Sequence, residues 1–114
     1  MKSYNGFSPQ ERIAGDKIIK QAIKDGVLES LDKAVCVTCG QDKGIRHYHC
    51  EDYSPQNIIA DSKCMCWRCH MILHSRFRFP KQAKKYFEEV KQGKRYAPVY
   101  RNNFDILKKE HGME

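Results

Sequence analysis

The 114-residue sequence has no run of about 18 apolar residues, so it offers no helix to span a membrane. Its opening, MKSYNGFSPQ, carries no apolar stretch behind a basic one, so a secretory leader is not expected and the cytoplasm is the expected compartment. It also lacks internal repeats and low-complexity tracts. A chain of this length makes one domain, able to fold alone on a modest core, in which a metal staple would matter. Acidic residues are scarce where basic ones gather: residues 76–109 hold eleven Lys/Arg against Glu88, Glu89 and Asp105. Residues 1–35 hold six against five and residues 36–75 four against four, so nearly all of the net +7 charge follows residue 75.

What the chain does have is cysteine. Without an export signal, six cysteines point to metal or redox chemistry before disulfides. Cys36-x-x-Cys39 and Cys66-x-x-Cys69 are two pairs at the spacing by which one turn of backbone presents two thiolates to a tetrahedral ion. Soft sulfur donors in that arrangement favour a structural zinc, whose loss should unfold the middle of the protein. Cys50 and Cys64 are left over; Cys64-x-Cys66 is poor knuckle spacing, and Cys64 reads as a small buried apolar side chain.

Ser8-Pro9-Gln10-Glu11 is a helix start, a Ser cap with Pro in the first turn and Glu three residues on. Ile13, Ala14, Ile18, Ile19, Ala22 and Ile23 continue it near helical spacing until Asp25-Gly26, giving an amphipathic helix expected to pack on the metal core, with Gly15 as a weak point. Val27–Ala34 is ambiguous, at most one helical turn. Val35–Gly40 reads as a zinc knuckle and Ile45–Cys50 as a short strand. Asp52–Lys63 reads as a loop. Trp67 to about Phe77 is helical, with Met71, Ile72 and Phe77 apolar and His70 and His74 on one face. Pro80 restarts a helix through Ala83, Tyr86, Phe87 and Val90 to Gly93, and a last helix is expected from about Asn102 to Glu110.

A helix bearing His70 and His74 can face a strand bearing His49. Three imidazoles leave open positions on a metal, which catalysis needs. The second ion would be divalent: Mg²⁺, Mn²⁺, Ni²⁺ or Zn²⁺. The basic segment, interleaved with Phe77, Phe79, Tyr86, Phe87, Tyr96 and Tyr100, suits a polyanion. Its candidate nucleic-acid contacts are Arg76, Arg78, Lys81, Lys84, Lys85, Lys94 and Arg95; the alternative is an ordinary solvated basic face.

Cys-x-x-Cys, then His-x-Glu-Asp-Tyr, then Cys-x-x-Cys-His-x-x-x-His resembles the zinc-containing HNH endonucleases, common as small proteins of bacteria and phages. The resemblance spans about residues 36–76. It implies an α+β fold: a zinc-stapled ββα-metal, treble-clef-like core at 35–79, an N-terminal helical segment at 1–34 and a basic helical segment at 80–114. It makes Cys36, Cys39, Cys66 and Cys69 the zinc ligands and His49, His70 and His74 the ligands of the catalytic metal. It also puts Cys50 where the family has its general-base His, a poor substitute because a thiolate prefers to ligate metal. Shifting the pairing by one makes His49 the base and Tyr48 the ligand, and His47 can stand in for either. The central family Asn is Asn57 by local pattern or Asp61 by spacing.

The implied function is metal-dependent hydrolysis of DNA phosphodiesters in a bacterial or phage-infected cell, by a monomer or homodimer. The alternative is a catalytically inactive zinc module that binds nucleic acid or a protein partner, for instance as a phage-type inhibitor.

Overall fold

The computed structural model describes residues 2–113. Helix α1 (Pro9–Lys24) starts as its sequence dictates: the Ser8 hydroxyl accepts from the Glu11 N–H at 3.1 Å, and the Glu11 carboxylate accepts from the Ser8 N–H at 2.9 Å. It ends at Asp25-Gly26, where Gly26 takes a φ of 76° and Val27 N–H returns to the Ala22 carbonyl. Val27–Ala34 then closes one hydrogen-bonded turn, Lys33 and Ala34 both donating to the Ser30 carbonyl, without forming a helix.

Strand β1 (Arg46–His49) pairs antiparallel with β2 (Lys63–Cys66), Arg46 facing Cys66 and His49 facing Lys63. The expected strand is therefore present but shorter. The Asp52–Lys63 loop is corrected: it contains a one-turn helix α2 (Ile58–Asp61), and Lys63 begins β2. Burial overrides the loop-like composition here, because Ile58 is fully enclosed against α1 and holds the turn in place.

Helix α3 (Trp67–His74) follows β2 directly and passes into a 3-10 turn (Ser75–Phe77). That change of pitch takes Phe77 off the apolar face. Expected inside, it is 71 % exposed, with the Arg76 guanidinium stacked 4.3 Å from its ring. Helix α4 (Pro80–Lys91) buries Ala83, Tyr86 and Val90. Helix α5 (Asp105–His111) starts later than expected, because the Asn103 side chain accepts from the Asp105 N–H and holds a turn before it.

Two cores result. One gathers Cys36, Cys66, Cys69, Trp67, Ile72, Tyr86, Val90 and Leu107 around the sulfurs. The other joins Ile19, Cys50, Tyr53 and Ile58. The second, not the sulfur core, is where α1 packs, correcting the sequence expectation. Gly15 is the reason: a Cβ there would stand 2.5 Å from Ile58 Cδ1 and 2.9 Å from Tyr53 Cδ1, so only glycine permits this approach. No helix among the described residues is long and apolar enough to cross a membrane.

Candidate metal centres

The first cysteine pair lies on a tight turn, Gly40 N–H donating to the Cys36 carbonyl at 2.8 Å with Gly40 at a φ of 77°. The second straddles the junction of β2 and α3, where Cys66 caps the helix and its sulfur accepts from the Cys69 N–H. Strand pairing and the sulfur core bring the two turns together, and all four Sγ atoms lie within 4.8 Å of one another. Cys39 Sγ and Cys66 Sγ are 3.7 Å apart. Four sulfurs about 2.3 Å from one tetrahedral zinc stand about 3.8 Å from each other, so the group could hold such an ion.

The four thiols are crowded enough to perturb one another. With only each other for company, the thiols divide. Hydrogen bonds from the other three cysteines pull Cys36 far below the ordinary thiol range. Cys39 settles at about 7, with Cys36 opposing its ionisation and Cys66 and Cys69 favouring it. Cys66 and Cys69 are pushed up, chiefly by their hydrogen bonds with Cys36 and Cys39. A divalent ion would let all four ionise. The Tyr86 hydroxyl lies 3.0 Å from Cys69 Sγ, and burial and the nearby sulfur raise its pKa far above ordinary, keeping it a proton donor to that sulfur.

Adjacent to Cys69 along α3, His70 begins a second group. Ligand atoms of His49, His70 and His74 also lie within 4.8 Å of one another. His70 Nε2 and His74 Nε2 are 3.0 Å apart, close enough for one ion to bridge both. His49 Nε2 is buried without a close hydrogen bond, its nearest polar neighbour being Glu51 Oε2 at 3.3 Å. Such an orphaned nitrogen fits a metal ligand. Burial first, then the neighbouring imidazoles, lowers His70 to about 3 and His74 to about 4, so both stay neutral and able to donate lone pairs.

Outer-shell partners support this group. His47, on the same strand face as His49, is half-buried, and its Nδ1 lies 3.2 Å from His70 Nδ1. Glu51 is clamped by Arg76 at 2.9 Å and Asn5 at 3.0 Å, and Arg76 also donates to the Tyr4 hydroxyl. The Tyr4 ring in turn leans on His74 at 5.0 Å.

Other expected residues sit elsewhere. Cys50 is buried in the α1 core, 2 % exposed, its thiol raised by burial, and does not line the histidine pocket. Cys64 is buried too, raised to about 11 by burial and then by Cys36. The Tyr48 hydroxyl bonds the Glu29 carbonyl, and the three-histidine group contains His49 instead. Asn57 is exposed and bonds Asp52 and Ser54, a turn-holding role. Asp61 accepts from the Glu51 and Asp52 N–H groups, tying the chain after β1 to α2. Neither Asn57 nor Asp61 joins the histidines.

The basic residues divide as well. Arg76 is engaged at the Glu51 clamp, whereas Arg78, Lys81 and Lys84 are exposed. Lys85 and Lys94 both reach Glu89, and Arg95 donates to the Val90 and Lys94 carbonyls.

Sequence reasoning missed Glu51, Tyr4 and the α1 face bearing Arg12, Asp16 and Lys20. Glu51 was visible as the third residue of His-x-Glu, and Arg12, Asp16 and Lys20 as an i, i+4, i+8 row. It also missed Arg68, buried at 3 % and bonded to Glu110 and His111, which fastens α5 to α3. Nothing in the sequence distinguished it. No family model, curated protein or solved structure matches the chain.

Proposed function

We propose that the chain is a zinc-stapled, HNH-like endonuclease that hydrolyses DNA phosphodiesters with a second divalent ion. The observation that carries the reading is the three-histidine group on β1 and α3, one residue beyond a four-sulfur group that could staple the same helix. The succession of knuckle, hairpin and helix, with the second cysteine pair at the strand–helix junction, supports a treble-clef-like core. Zinc is the ion that the four thiols suit best.

A divalent ion at the histidines supplies charge stabilisation at the leaving oxygen when bound. His49, His70 and His74 hold it as neutral imidazoles, and Arg76 with Glu51 fixes the wall beside them. His47, kept neutral at pH 7 by burial and lining the same pocket, is the base that accepts the proton of the attacking water. Arg78, Lys81 and Lys84 contact flanking phosphates, a sequence-independent grip.

The burial of Cys50 favours a second reading. Where the family has its base, this chain has a thiol shut in an apolar core, as expected of a module that binds nucleic acid or a protein without turnover. Supercoiled plasmid incubated with Mg²⁺, Mn²⁺ or Ni²⁺ separates the two. Nicking by the protein but not by His74→Ala supports the nuclease; salt-sensitive binding without nicking supports a nucleic-acid-binding module; neither cutting nor binding rejects both and leaves the protein-binding form of the module.

A further inference from the structure

The histidine group borders a half-open depression. It forms one side of a pocket of about 390 Å³, whose opposite wall is α1. On that wall, Ile19 and Ile23 are joined by Leu31 from the turn after the helix, making an apolar surface across from the imidazoles. That turn is anchored by the Tyr48 hydroxyl on the Glu29 carbonyl, and α1 by Gly15 against Ile58. The wall is therefore fixed. Arg12 and Lys20 flank Asp16 on the same helix face, leaving that face one positive charge in excess.

A phosphodiester in a regular duplex sits on the outside of a broad cylinder, its base stacked inward and out of reach. An ion-binding group set beside a helix wall meets that surface poorly; His49 is 7 % exposed, and His70 and His74 are half-buried. A single unpaired nucleotide unit suits the pocket better, with its phosphate toward the histidines and its base against Ile23 and Leu31. We propose that the pocket takes one unpaired nucleotide of a single strand, DNA or RNA, in preference to duplex. The inference rests on the nucleic-acid reading above and narrows it to a substrate class.

The test uses the full chain, without added divalent ion so that nothing is cut, and labelled oligothymidylate, oligouridylate and the oligo(dA)·oligo(dT) duplex at one fixed salt concentration. Fluorescence anisotropy should show single strands binding about tenfold or more tighter than duplex, a difference of about 1.4 kcal/mol. The DNA and RNA strands report which sugar is preferred. Lys20→Glu, at an exposed position, and Leu31→Trp, which fills the apolar side, should each weaken single-strand binding several-fold with zinc content unchanged. If Leu31→Trp does not fold, Lys20→Glu decides. Duplex bound as tightly as single strand, or single-strand binding untouched by Lys20→Glu, overturns the inference. Nicking of plasmid that depends on His74 would survive that outcome, so failure of the single-strand preference and failure of the nuclease activity are distinguishable.

Discussion

Two neighbouring residues of α3, Cys69 and His70, belong to groups of opposite character. The sulfur group has four donors, lies within the larger core and is backed by Tyr86 from α4. The histidine group has three donors, borders a pocket and is backed by a polar shell of His47, Glu51, Arg76 and Tyr4. A saturated, enclosed ligand set has nowhere to admit substrate and can only stabilise. An unsaturated set beside a cavity can bind and release. On the proposed reading, one short helix separates a fold-holding site from a working one by a single peptide bond, and the two should fail differently when broken.

The largest effect is expected at the sulfurs. Cys69→Ser leaves three thiolates and a hydroxyl in the core, and structural zinc contributes on the order of 10 kcal/mol, comparable to the whole stability of a small domain. The variant, or the wild type treated with a strong chelator, should lose cooperative unfolding and α-helical circular dichroism. A chelated protein that keeps its melting transition would erase the contrast between the two sites.

At the other site, His74→Ala should leave the fold intact but remove the second metal. Losing an outer-shell partner alone costs roughly 10- to 100-fold, so loss of a ligand should lower metal affinity and any nicking activity by more than about a hundredfold. Elemental analysis should fall from two metals per chain to one. Collapse of the fold in this variant would mean that both groups are structural.

Acid should sharpen the comparison. His70 and His74 are held by burial at about 3 and about 4, below the ordinary 6.5. As pH falls below about 6.5 the unfolded chain takes up these protons and the folded chain does not, so stability falls with pH until about 3. The melting temperature of wild type should drop across that window more steeply than that of a His70→Asn, His74→Asn double variant. Equal slopes would show that the imidazoles are not held neutral.

The sulfur group was the more legible of the two. Cys-x-x-Cys is a local pattern whose spacing encodes its geometry, and Ser8 to Glu11 likewise encodes a helix start in four residues. What could not be read were contacts made by sequence-distant neighbours. Lys63–Cys66 has no strand-like alternation and becomes β2 because β1 lies beside it. Ile58 forms its turn because Gly15 admits it. The histidine group fell between: His70 and His74 were legible from helical spacing, whereas Tyr4 and α1, which enclose them, approach only through the second core.

Gly15→Ala tests that enclosure. The added methyl meets Ile58 and Tyr53 inside contact distance, and overpacking of this kind costs about 1–3 kcal/mol, more than the gain in helix propensity returns. Thermal unfolding should shift down while zinc content holds, because the affected core is the histidine-side one. A stabilised variant would mean that α1 is free to move from its wall.

The smallest expected effect belongs to Tyr86→Phe. The substitution keeps the ring, which packs edge-on against Phe87 and His111 at about 5.1 Å, and deletes only the hydroxyl beside Cys69 Sγ. A hydrogen bond to a charged acceptor is worth about 1.5–3 kcal/mol, and part of that returns because the partner sulfur remains bound by its ion. Zinc affinity in a competition titration should therefore fall modestly, within the roughly 10- to 100-fold typical of outer-shell losses, with helix content preserved. The corresponding change on the histidine side, His47→Phe, removes the contact with His70 Nδ1 and should weaken only the second metal. If each variant perturbs only the ion it touches, the two groups on α3 are energetically separate despite their adjacency; if Tyr86→Phe also loosens the second metal, the helix transmits strain between them.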